Sequence, residues 1–100
     1  MKTTITRAEL KQLLNKNNIM VIDVRGKEEY NENHIPFAGN LPIEIIEAGN
    51  FIPEPGKIII TACGKGGGRS ERAAKYLREN SNNEVYVLDG GTFGWVENEN

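Results

Sequence analysis

Three short apolar runs constrain this chain more than any other feature. They are "IMVID" at 19–23, "KIIITA" at 57–62 and "VYVL" at 85–88. All three favour β-branched residues, the composition of a strand. Polar alternation is missing until the last residue of the first run. A strand of that kind is covered on both faces, so the sheet it joins needs helices above and below.

The segments between the runs supply those helices. "TRAE", at 6–9, has the form of a capping box, with Thr6 accepting from the amide three residues on and Glu9 reaching back. Leu10, Leu13 and Leu14 follow at helical spacing, and the asparagine-rich 15–18 stretch ends that helix. Residues 27–33 predict a short polar helix, and 43–48 another. Between them "HIPFAGNLP", with two prolines and a glycine, predicts a loop. Residues 69–80, "RSERAAKYLREN", predict a longer helix with Ala73, Ala74 and Leu77 on one face and a Glu71–Lys75 pair at i,i+4. "DGG", at 89–91, predicts a turn, and "TFGWV" the start of a final short helix. Strands alternating with helices give an α/β domain with a mostly parallel sheet. The 100 residues are expected to form one domain, 1–100.

The totals exclude several classes. The net charge of −2 is spread along the chain without a basic block, so neither nucleic acid nor a membrane surface is an expected partner. No run is long enough to cross a bilayer, and the first ten residues lack the apolar centre of a signal peptide. One cysteine makes no internal disulfide, and one histidine beside it makes no structural zinc site; no cofactor or metal is expected. A reducing, cytoplasmic setting is the default and keeps Cys63 a free thiol.

That cysteine opens the stretch "TACGKGGGRS", at 61–70, where the second strand ends and the long helix begins. Ligands of open α/β sheets bind outside the carboxyl ends of the strands. A cysteine reacts as thiolate, a form favoured at a helix N-terminus and beside cations. Lys65, Arg69 and Arg72 are the nearest positive charges. Gly64, Gly66, Gly67 and Gly68 leave the backbone free to adopt positive φ and to turn amides inward as an anion-binding nest. Arg69 adds a planar, permanently charged fork. An inert buried cysteine is the plain alternative for a lone thiol, but four glycines are costly in an ordinary strand–helix connection. Nucleotide-binding patterns fail here: the lysine comes too early for a P-loop, and the last glycine of G-x-G-x-x-G falls on Arg69. His34, in a proline-containing loop, is expected to be structural or solvent-exposed. Asp23 and Arg25, at the end of the first strand, are expected to form an ion pair that orders the loops and supports the site.

These residues resemble a family. "VIDVRGKEEYNENHIPFAGNLP", "IIITACGKGGGRSERAAKYL" and "VYVLDGGTFGW" are similar, in this order, to three signature blocks of rhodanese-like sulfurtransferases. The resemblance implies a rhodanese-like three-layer α/β domain, with a mostly parallel five-stranded sheet flanked by helices. It also implies that Cys63 carries a persulfide, with a small thiosulfate-like donor and a thiol or cyanide acceptor. Two departures stand out. Five residues, rather than the family's frequent four, separate Cys63 from Arg69, a spacing similar to related cell-cycle phosphatases and some arsenate reductases. The basic residue that often follows the cysteine in thiosulfate-active members is displaced by one, to Lys65, with Gly64 in its place.

Three readings follow from this loop. The first is a sulfurtransferase. The second is a sulfur-carrier or interaction module fed by a sulfur-relay protein, with little activity on free thiosulfate. The third is a phosphatase or arsenate reductase. Chemistry favours sulfur over phosphate: sulfite leaves thiosulfate without a proton, whereas an ester oxygen needs a general acid, and the loop contains none. The residue before Cys63 is Ala62, where the phosphatases resembled carry histidine.

Overall fold

The computed structural model describes residues 2–16, 18–64 and 67–97. Its elements are β1 (Thr4–Ile5), α1 (Arg7–Leu13), β2 (Ile19–Asp23), α2 (Lys27–Glu32), β3 (Gly39–Asn40), α3 (Ile43–Glu47), β4 (Ile58–Ala62), α4 (Gly68–Asn80), β5 (Glu84–Leu88) and α5 (Gly91–Glu97). The sheet has the order β1-β5-β4-β2-β3, and every neighbouring pair is parallel. All strand ends of one polarity therefore gather at one edge.

Side chains alternate across the strands and feed two cores. Ile22, Ile59, Val85 and Val87 face α3 and α4, packing on Ile43, Ile46, Ala73, Ala74 and Leu77. Val21, Ile60, Ala62 and Leu88 face the other way, onto Leu10 of α1 and Trp95 of α5. Helices thus cover both faces, as the unbroken apolar runs demand. At the start of α1 the capping box is complete: Thr6 Oγ1 accepts from Glu9 N at 3.1 Å, and Glu9 Oε1 accepts from Thr6 N at 2.9 Å.

Three expectations need correction. The "HIPFAGNLP" loop contains strand β3, which pairs with β2 through Ile22–Gly39 and Asp23–Asn40. Asn40 pins it by donating from its side-chain amide to the carbonyls of Asp23 and Arg25. Thr4 and Ile5, assigned to no element from the sequence, form β1 against Val87 and Leu88. On α4, the ion pair of Lys75 runs to Glu79, at 3.7 Å, rather than to Glu71. No helix among the described residues is long and apolar enough to cross a membrane.

Candidate active site at the carboxyl edge of the sheet

Cys63 directly follows β4, and its side chain is buried beneath the first turn of α4. The Gly67 N–H points at Sγ, 3.1 Å away. The thiol donates to Ser70 Oγ at 3.2 Å, and that hydroxyl donates in turn to the Gly67 carbonyl at 2.9 Å. From the strand below, the Thr61 hydroxyl donates to the Ser70 carbonyl at 2.9 Å. A hydroxyl chain thus ties β4 to α4 and keeps Ser70, itself fully buried, against the sulfur. The 13-residue helix α4 adds the favourable potential of its N-terminus.

A second clamp comes from the far end of the chain. The N–H of Thr92 donates to the Cys63 carbonyl at 2.7 Å, and the N–H of Phe93 to the Gly64 carbonyl at 2.9 Å. These amides belong to the first turn of α5, where N–H groups lack helical partners. They hold the first two residues of the loop at their carbonyls while Gly67 holds the sulfur.

No described glycine of the loop uses the positive φ that glycine allows. Positive φ occurs at Gly49, Gly56, Gly90 and Gly91, not at Gly64, Gly67 or Gly68. At Gly64 space is tight: a Cβ there would lie 3.2 Å from the Phe93 ring, which would have to give by a few tenths of an ångström. Gly67 and Gly68 have open space where a side chain would begin. Lys65 and Gly66, both expected in the anion-binding loop, lie outside the described residues.

Arg69 stands in the first turn of α4, but its fork is occupied. Nη1 and Nη2 donate to Glu29 Oε1 and Oε2 of α2 at 2.8 and 3.0 Å. This pairing holds the Glu29 carboxyl at about 2, well below its ordinary range, and raises Arg69 above its own. Cys63 and Asp23 add to the hold on the Arg69 proton through charge.

Below the loop lies the Asp23–Arg25 pair, fully buried and bidentate. Arg25 Nη2 donates to Asp23 Oδ2 at 2.8 Å, and Nε to Oδ1 at 3.0 Å. The backbone N–H of Arg25 also reaches Oδ1, and the buried Thr92 hydroxyl reaches Oδ2 at 3.1 Å. The remaining Arg25 reach goes to the Asn33 carbonyl at 2.7 Å. The expected ion pair is present, and through Thr92 it is joined to the α5 turn that grips Cys63. His34 is engaged elsewhere: its ring stacks on Tyr30, and its Nδ1 donates to the Tyr30 carbonyl at 2.8 Å.

Residues 6–98 match the rhodanese-like domain family. The chain belongs to that family. It is 32% identical over 93 residues to thiosulfate sulfurtransferase GlpE of Pseudoalteromonas translucida, covering 91% of this chain and 86% of that protein. Among solved structures, a rhodanese-related protein from Thermoplasma volcanium superimposes with a TM-score of 0.83 at 26% identity, over 97% of this chain and 93% of that one. The human single-domain sulfurtransferase TSTD1 shares the fold over the full length of both chains, with a TM-score of 0.86 at 23% identity.

Within this rhodanese-like domain, five residues at the site, Thr61, Ser70, Glu29, Thr92 and Phe93, carry no role in the sequence reading. Ser70 was legible in principle, as a hydroxyl within one turn of the cysteine's helix. Glu29, Thr92 and Phe93 reach the loop from other elements, and nothing local to "TACGKGGGRS" signals them.

Proposed function

We propose that this chain, as a single domain spanning 1–100, is a sulfurtransferase that carries sulfane sulfur as a persulfide on Cys63. The observation behind this reading is the setting of the thiol: a lone buried cysteine at the carboxyl edge of the sheet, with the Gly67 N–H and the Ser70 hydroxyl against its sulfur. Membership of the rhodanese-like family supports it, as do relatives named thiosulfate sulfurtransferase.

The donor half-reaction begins with the Cys63 thiolate. It attacks the outer sulfur of thiosulfate, the S–S bond of the donor breaks, and its electron pair leaves with sulfite. One negative charge then rests on the new terminal sulfur of Cys63–S–S⁻. The Gly67 N–H and the α4 N-terminus favour that charge, and rotation of the Ser70 hydroxyl supplies a second donor. In the acceptor half-reaction, cyanide attacks the terminal sulfur, thiocyanate departs, and the Cys63 thiolate is restored. A thiolate acceptor attacks the protonated persulfide in the same way and leaves as its own persulfide. Neither half-reaction needs a general acid at the leaving group.

Gly64, Lys65, Gly66, Gly67, Gly68 and Arg69 form the substrate loop in this reading, and Asp23 with Arg25 supports it from below. Donors are thiosulfate or a related sulfane compound, with a sulfur-relay protein as a further partner. A reducing compartment such as the cytoplasm suits the free thiol. The test is thiocyanate formation from thiosulfate and cyanide. Wild-type protein is expected to turn over and to carry 32 mass units on Cys63, one sulfur atom; Cys63→Ser is expected to do neither. Turnover that survives Cys63→Ser refutes the assignment.

A further inference from the structure

The sequence assigns Arg69 to anion binding, yet the structure spends its fork on a carboxylate. Both outer nitrogens face the two oxygens of Glu29 end on. Glu29 is also fixed from its own side, since Oε1 accepts the Gly26 N–H at 3.3 Å at the start of α2. Both side chains are partly exposed, and the second hold on Glu29 from Gly26 leaves Arg69 as the member that a ligand can draw away. A doubly charged ligand entering above Cys63 meets an arginine whose charge is already cancelled, and must compete with Glu29 for it. A donor of low charge meets no such competition. A side chain at Gly64 would press on the Phe93 ring, which a Cβ there would approach to 3.2 Å.

We infer that Glu29 sets donor selectivity, by masking Arg69 and so disfavouring thiosulfate dianion relative to alkyl persulfides of low charge. This rests on the sulfurtransferase reading above. With an alkyl persulfide R–S–SH, the Cys63 thiolate takes the outer sulfur with its proton, the S–S bond breaks, and R–S⁻ leaves. Glu29 acts through Arg69, as a positioning residue.

The experiment compares wild type with Glu29→Gln, using thiosulfate and an alkyl persulfide as donors and one common thiol acceptor. The ratio of kcat/KM for thiosulfate to kcat/KM for the persulfide is expected to rise about fivefold, the scale of an exposed ion pair, through a lower KM for thiosulfate. Loosened structure would lower both donors together and leave the ratio in place. A ratio that stays or falls overturns the inference. A second readout needs no turnover: in a Cys63→Ser background, calorimetric titration with thiosulfate is expected to show about fivefold tighter binding after Glu29→Gln. A variant that gains no affinity over its parent overturns the inference as well. Absence of any Cys63 persulfide in the wild type, with either donor, counts against the sulfurtransferase reading instead, and the titration still decides the role of Glu29.

Discussion

Replacing Arg25 by Met strands a carboxylate in the interior. Asp23 has no exposed surface, and Arg25 contributes Nε, Nη2 and its backbone N–H to it. After the substitution Asp23 keeps the backbone N–H and the Thr92 hydroxyl but loses its counter-charge. Breaking a buried pair from one side costs about 3–5 kcal/mol. The lost cation–π contact over the Phe93 ring, now 5.5 Å from the guanidinium, adds about 0.5–1 kcal/mol. The Asn33 carbonyl contributes little, because Asn33 is exposed and water replaces the arginine. For a small domain whose total stability is about 5–15 kcal/mol, the loss is large. With a urea slope of about 1.5 kcal/mol per molar, the unfolding midpoint is expected to drop by roughly 2–4 M. The decisive measurement adds Asp23→Asn. Asn still accepts from Thr92 and from the backbone but carries no charge, so Arg25→Met/Asp23→Asn is expected to be more stable than Arg25→Met alone, by about 1 kcal/mol or more. If the second substitution restores nothing, the unpaired charge is not what destabilises the single variant, and the reasoning fails.

Two further outcomes follow from the site. Ser70→Ala removes the hydroxyl 3.2 Å from Sγ and is expected to slow persulfide formation on Cys63 about fivefold in single-turnover mass spectrometry, with the circular dichroism spectrum kept. For Glu29, the folded-state value of about 2 lies below its ordinary 4.5. Its pairing therefore stabilises the fold above about pH 4.5 and is lost as pH falls towards 2. Unfolding free energies of wild type and Glu29→Gln from urea titration are expected to differ slightly at neutral pH, by less than about 1 kcal/mol for so exposed a pair, and to converge near pH 2. A gap that widens on acidification contradicts that assignment.

Much of the fold was legible because its evidence is local. The β-branched runs locate β2, β4 and β5, and "TRAE" locates the start of α1, since each of these needs only its own residues. The two-residue strands β1 and β3 were not legible. Their existence depends on backbone pairing with β5 and β2, and neither Thr4–Ile5 nor Gly39–Asn40 carries a pattern of its own. The candidate site divides in the same way. Cys63, its glycines and the helix behind it are contiguous in sequence. The partner of Arg69 lies 40 residues away and the Thr92–Asp23 contact spans 69, distances across which no spacing rule operates. The identity of the group crowding Gly64 was hidden for a related reason: only the packed structure brings the Phe93 ring over it.

The sheet order also bears on how the protein is made. Synthesis runs from the N-terminus, and β1 emerges first, yet its neighbour is β5, the last strand. While β2, β3 and β4 are being added, β1 waits, and the β4 edge that β5 will occupy stays open. The gap closes only when residues 84–88 arrive and slot between the two. The amides of Thr92 and Phe93 come later still, so the thiol leaves the ribosome well before the turn that will hold its loop. Sheet closure and loop clamping thus both wait for residues 84–93, and a nascent chain that pauses before residue 84 presents a free sheet edge and an unclamped cysteine to whatever surrounds it.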